Sequence, residues 1–220
     1  MARPDPALSA LGEQVAKGSV AGRRDRYERE VVALIRAVHR LTRRRTYAET
    51  TVSEILDEAK LSTRAFYRHF SSKDELLVAV FEYETALVVD QLATAIDGAG
   101  DAAARFDRWL DWYLSLLSDP RRLSRFIVLQ QEHDRLARDH RARMGRLDQR
   151  RDAVLVEVLA LGVADGSLPG ADPARDAPVI HALVTGTLRR VATGEKQDAD
   201  EVRRQLRRFC DPALRRPLGL

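Results

Sequence analysis

Apolar residues recur along this chain at three- and four-residue intervals, a pattern that predicts helices and no strand. From Asp25 to about Arg44, Val31, Leu34, Ile35, Val38 and Leu41 form one stripe, with arginines and glutamates on the other face. A short helix is expected over Thr51–Ala59. Thr51 stands at its N-cap, Glu54 at N3 completes a capping box, and Val52, Ile55, Leu56 and Ala59 make its apolar face. Lys60 and Leu61 leave only a tight turn before a third helix, opened by Ser62. There Phe66 and Phe70, four apart, line one side, while Thr63, Arg64, Tyr67 and Arg68 project from another. Two helices joined by a tight turn, the second with a polar outward face, form a helix-turn-helix. Hydroxyl, guanidinium and phenol groups on such a face suit base edges and phosphates.

Downstream, Ser72 with Glu75 at N3 opens a long helix that Leu76, Leu77, Val80 and Phe81 carry toward Ile96, and Gly98 and Gly100 stop it. Further helices are expected at about 101–118, 123–136, 139–164, 173–193 and 198–210. The expected fold is therefore all-α. A three-helix bundle containing the helix-turn-helix precedes a helical ligand-binding and dimerisation domain, about nine helices in all. The expected boundaries are a mobile arm over 1–24, a DNA-binding domain over 25–72, a regulatory and dimerisation domain over 73–212, and a tail over 213–220.

Charge sharpens this division. Residues 1–75 hold 15 Lys+Arg against 11 Asp+Glu, whereas residues 76–220 hold 22 of each, so the whole net charge of +4 lies beside the reading helix. A basic segment joined to a neutral one fits a nucleic-acid module attached to a body with another task. The single cysteine, Cys210, excludes an internal disulfide and suits a reducing compartment. No apolar run approaches the roughly 20 residues of a membrane span. Without an apolar leader, the chain is expected in the cytoplasm, with no membrane partner. No glycine-rich phosphate loop, nucleophile motif or metal-ligand spacing appears, which argues against an enzyme, a cofactor or a bound metal.

The block from about Val31 to Val80 resembles the DNA-binding domain of the tetracycline-repressor-like (TetR) family of bacterial transcription regulators. Thr50-Thr51-Val52, Ile55, Ala59, Ser62, Phe66-Tyr67-Arg68-His69-Phe70, Ser72-Lys73 and Glu75-Leu76-Leu77 carry the resemblance. It implies that Thr63 and Arg64 reach base edges, and that Tyr67, His69 and Lys73 contact phosphate; a packing role beside Phe70 is the alternative for His69. Thr51, Ser62 and Arg68 complete the expected DNA-binding set. It also implies a homodimer through the last two long helices, on a palindromic double-stranded operator. Thr46 and Lys60 depart from the pattern, standing where the family commonly has glycine. A positive φ at Lys60 would cost on the order of 1 kcal/mol relative to glycine.

The C-terminal part offers candidates for an unidentified apolar effector: Phe106, Trp109, Trp112, Tyr113, Phe126, Leu129, His133 and His181. Aromatic walls bury such a ligand while a few polar groups orient it. Aromatic residues at helical spacing are more often plain core, so both readings stand. For dimerisation, Ala177, Ile180, Ala182, Leu183, Val184, Gly186, Leu188 and Val191 give the 173–193 segment more apolar surface than one side needs. The expected function is a repressor released from its operator by the effector. The alternative is a DNA-binding regulator controlled by a protein partner or by its own expression.

Overall fold

A computed structural model describes residues 26–42, 46–194 and 197–216. The expected arm over 1–24 lies outside the described residues, as do Arg43–Arg45 and residues 217–220. Among the described residues there are nine α-helices and no strand. They are α1 (26–41), α2 (Val52–Ala59), α3 (Thr63–His69), α4 (Lys73–Ile96), α5 (Ala102–Leu114), α6 (Pro120–Asp139), α7 (Arg141–Asp165), α8 (Pro173–Ala192) and α9 (Ala199–Arg215). A 3-10 turn, Ser115–Ser118, extends α5. No helix among them is long and apolar enough to cross a membrane. The chain divides into two compact units, one ending at Val80 and the other beginning at Phe81.

In the first unit, Leu34, Ala37 and Val38 of α1 are buried, with Ile55 and Leu56 of α2, Ala65 and Phe66 of α3, and Leu76 and Leu77 of α4. The buried face of α1 therefore runs through 30, 34, 37 and 38. That rotation places Glu30 inside the unit, although glutamates were expected on the opposite face. The helices α2 and α3, of 8 and 7 residues, bury little surface each, so polar contacts to their neighbours help to fix them.

The second unit is organised around Phe106, Trp109 and Tyr113 of α5, Leu155 and Leu159 of α7, and Val184 of α8, which belong to one buried cluster. The start of α5 is tied to the turn after α7: Asp165 Oδ2 accepts from the Ala102 amide at 3.0 Å, and Ser167 Oγ from the Ala103 amide at 3.2 Å. These bonds satisfy amides that a helix N-terminus leaves without partners. The end of α9 differs from the expectation of a stop at Cys210 and a tail from 213. Val202, Leu206, Cys210 and Leu214 continue one buried stripe, so packing carries the helix through Pro212 to Arg215. Gly170 seals that end. Its amide donates to the Leu214 carbonyl at 2.9 Å, and a Cβ there would collide with the Arg216 carbonyl oxygen.

Candidate nucleic-acid interface

The reading helix is short, and its boundaries come from side chains. Ser62 is extended (φ −83°, ψ 157°) and its Oγ accepts from the Ala65 amide at 3.2 Å, capping α3. Ala65 and Phe66 are buried, and the Phe66 and Phe70 rings lie 5.9 Å apart, so the apolar side holds the helix to its unit. Thr63, Arg64, Tyr67 and Arg68 are exposed, Tyr67 to 60%. The turn before α3 is tight because Lys60 takes a left-handed conformation, φ 56° and ψ 44°. The Leu61 amide then reaches the Leu56 carbonyl at 3.0 Å, closing the end of α2. Lysine thus occupies a conformation that glycine adopts more readily, at a cost on the order of 1 kcal/mol.

The capping box that opens α2 is formed on both sides. Thr51 Oγ1 accepts from the Glu54 amide at 3.3 Å, and Glu54 Oε2 accepts from the Thr51 amide at 2.8 Å. The same carboxylate takes the Thr51 hydroxyl proton at 2.8 Å. Thr51 is exposed, but its hydroxyl is committed to the cap.

Two residues expected to touch phosphate are placed differently. Lys73 turns into its unit: Nζ donates to the carbonyls of Tyr47 (2.9 Å), Ala48 (3.3 Å) and Thr50 (2.6 Å), and lies 4.6 Å from the centre of the Tyr47 ring. The Tyr47 hydroxyl returns a bond to the Lys73 carbonyl at 2.5 Å. Three ammonium protons meet three carbonyls, so Lys73 clamps the connector between α1 and α2 onto the start of α4. His69 corrects the expectation more sharply, because its side chain is fully buried. The ring sits 4.1 Å from Tyr27, edge to face, and Nε2 lies 2.6 Å from Glu30 Oε2. A ring packed between two helices has no surface to offer a phosphate.

Glu30 is the residue that sequence reasoning missed. Its carboxylate, on a residue only 7% exposed, meets His69, Arg26 Nε at 2.9 Å and Arg68 at 3.4 Å. The His69 hydrogen bond, aided by Arg26 and Arg68 and opposed by burial, holds this carboxyl below the ordinary glutamate range. The available signal was spacing: Glu30 stands four residues before Leu34 on the face that α1 buries.

A capped reading helix with an exposed polar row, packed behind a tight turn on a capped partner, is the local geometry of a DNA-binding bundle. The sequence profile described as bacterial regulatory proteins, tetR family, matches residues 34–80, from within α1 to the first turns of α4. Over that segment the chain is similar to the TetR family. It is 36% identical over 59 residues to an uncharacterized HTH-type transcriptional regulator, YerO, of Bacillus subtilis (strain 168), a match covering 27% of this chain and 20% of that relative. The chain thus spans about a fifth of the length of the curated relative it matches. Its fold is similar to that of E. coli NemR in its reduced form, at 22% identity and TM-score 0.64, over 86% of this chain and 100% of that one. The fatty acid degradation regulator FadR from Bacillus halodurans is similar at 18% identity and TM-score 0.63, over 86% and 96%.

The candidate effector residues fall into the buried centre of the second unit or its margin. Phe106, Trp109 and Tyr113 are fully buried, while Trp112, Phe126 and Leu129 are partly buried. Trp109 lies 4.8 Å from Tyr113 and 6.1 Å from Phe106, ring to ring, which makes these side chains core to one another. His181 is buried between Tyr113, whose hydroxyl is 3.1 Å from Nε2, and Asp152, whose Oδ1 is 2.7 Å from Nδ1. The bonding is consistent when Nδ1–H donates to Asp152 and Nε2 accepts the Tyr113 proton. A lone pair on Nδ1, facing the Arg151 Nε at 3.2 Å, would instead confront the carboxylate. His133 Nε2 stands 3.1 Å from Asp148 Oδ1, extending the polar chain to α6.

Burial holds the His181 pKa below its ordinary value of 6.5, against the opposing Asp152 hydrogen bond. The unfolded chain therefore binds a proton at this histidine at higher pH than the folded one does. Stability is expected to fall as pH drops below 6.5, and a His181→Gln variant should lose that component of the dependence. Melting temperatures between pH 7.5 and 5.5 check this; parallel curves for the two proteins would refute it.

Proposed function

We propose that this chain is a TetR-family, sequence-specific DNA-binding transcription regulator, acting in the cytoplasm as a homodimer on a palindromic operator. The observation that carries the reading is the exposed row Thr63, Arg64 and Tyr67 on a capped helix whose opposite side is buried. Thr63 and Arg64, in the first turn, are placed to meet base edges, and Arg64 has the donor fork that pairs with guanine. Tyr67 and the Ser62 hydroxyl are the candidates for sugar and phosphate, while Arg68 faces the Glu30 carboxylate.

Dimerisation is supported by α8 and α9. Pro178, Val179 and Ala182 are exposed on α8, a Cβ at Gly186 would meet nothing within 4 Å, and Phe209 of α9 is 62% exposed. A row of small residues permits close approach of a partner helix, and an exposed phenyl ring supplies apolar area. A two-fold dimer sets its reading helices in successive major grooves, about 34 Å apart or a multiple of that.

The regulatory reading is repression relieved by a small apolar effector in the second unit, binding one dimer geometry better than the other. The mutual packing of Phe106, Trp109 and Tyr113 favours a second reading, control by a protein partner or by expression level without an effector. Selecting duplexes from a random pool with the full chain tests the DNA reading. An inverted repeat is expected; no enrichment, or sites without two-fold symmetry, would sink it.

A further inference from the structure

The cluster at the base of the reading helix does more than close a gap. Glu30 of α1 receives two groups from consecutive positions of α3, the Arg68 guanidinium at 3.4 Å and the His69 ring at 2.6 Å. Arg26, one helical turn before Glu30, shares the carboxylate at 2.9 Å, and Tyr27 packs on the His69 ring. Residues 26, 27 and 30 lie on one side of α1, so a single face of that helix meets the end of α3. His69 is buried outright, whereas the Arg68 side chain is 46% exposed and has further donors beyond the one facing Glu30. An arginine at such a position has two possible electrostatic partners, a DNA phosphate or the protein's own carboxylate.

We propose that Glu30 is a positioning residue of the DNA interface: by holding Arg68 and His69 against α1 it fixes the orientation of α3 and keeps the Arg68 charge from becoming a sequence-independent phosphate contact. This rests on the DNA-binding reading above. The physical consequence concerns selectivity more than affinity. Each phosphate neutralised adds binding to any duplex, and such contacts carry no sequence information. A tethered arginine keeps that background low, while a fixed helix keeps Thr63 and Arg64 in register with base edges.

The test uses the full chain, with a duplex enriched from the random pool and a scrambled duplex of equal length, titrated at several salt concentrations. Wild type is expected to prefer the enriched duplex, and Arg68→Ala to leave its salt slope on scrambled DNA unchanged. Glu30→Gln is expected to bind scrambled DNA with a slope steeper by about one unit and to lose roughly tenfold or more of the preference. Adding Arg68→Ala to Glu30→Gln should return the slope to the wild-type value. A Glu30→Gln protein that stays folded by circular dichroism and keeps the wild-type preference overturns the proposal. So do equal losses on both duplexes that track the folded fraction. If Glu30→Gln does not fold, Arg68→Ala alone decides, because a slope flattened by about one unit would show that Arg68 already contacts phosphate. A wild-type protein with no preference for any duplex instead defeats the DNA-binding reading itself.

Discussion

Replacing Lys73 by alanine is expected to destabilise the first unit by about 2–3 kcal/mol while leaving the salt dependence of DNA binding unchanged. Nζ serves three carbonyl acceptors, those of Tyr47, Ala48 and Thr50, and removing it strips all three of a charged donor. A hydrogen bond to a charged group contributes about 1.5–3 kcal/mol, but three bonds from one ammonium share a single desolvation cost and do not add. The contact with the Tyr47 ring is lost too. Tyr47 is buried and links back to the Lys73 carbonyl, so the connector between α1 and α2 should loosen first. Chemical denaturation gives the stability change, and a salt titration on the surviving folded protein gives the slope. A slope flattened by about one unit with stability intact would return Lys73 to the phosphate role the family resemblance implies.

Arg64→Ala is expected to weaken binding to the enriched duplex by about 1–3 kcal/mol and to relax sequence choice at one position of each half-site. Arg64 is exposed on the first turn of α3, and its guanidinium bonds to none of the described residues. Its removal should therefore leave the fold unchanged. The neighbouring Thr63, with one hydroxyl and one methyl, offers weaker discrimination. A mobility-shift series over single-base variants of the enriched site checks both parts. If Arg64→Ala loses affinity equally on every variant, the side chain contacts backbone and the assignment of base readout fails.

The two residues at the end of α3 show where one-dimensional reading stops. Arg68 and His69 both fall on polar positions of the helical wheel, yet one is half exposed and the other fully buried. Periodicity places a residue on a face, but which neighbour covers that face depends on α1, some forty positions earlier. Glu30 was missed for the same reason: a glutamate beside arginines reads as a solvated surface until two cationic or donor groups of α3 are brought to it. Lys73 stood correctly in the first turn of its helix, and only the return of the 46–50 connector showed where its ammonium goes.

The caps at Thr51 and Ser62, the tight turn at Lys60 and the outward row from Thr63 to Arg68 were legible from local order alone, because each depends on groups within about four positions. The apolar periods likewise specified helices throughout the described residues, and a local motif carried the resemblance to the TetR family. Long-range packing decided the rest. It buried His69, drew Lys73 inward, set Phe106, Trp109 and Tyr113 against one another, and carried α9 past Pro212 to seat Leu214. Those outcomes follow from which charges and apolar faces meet across the folded unit, and a linear order of residues does not contain that pairing.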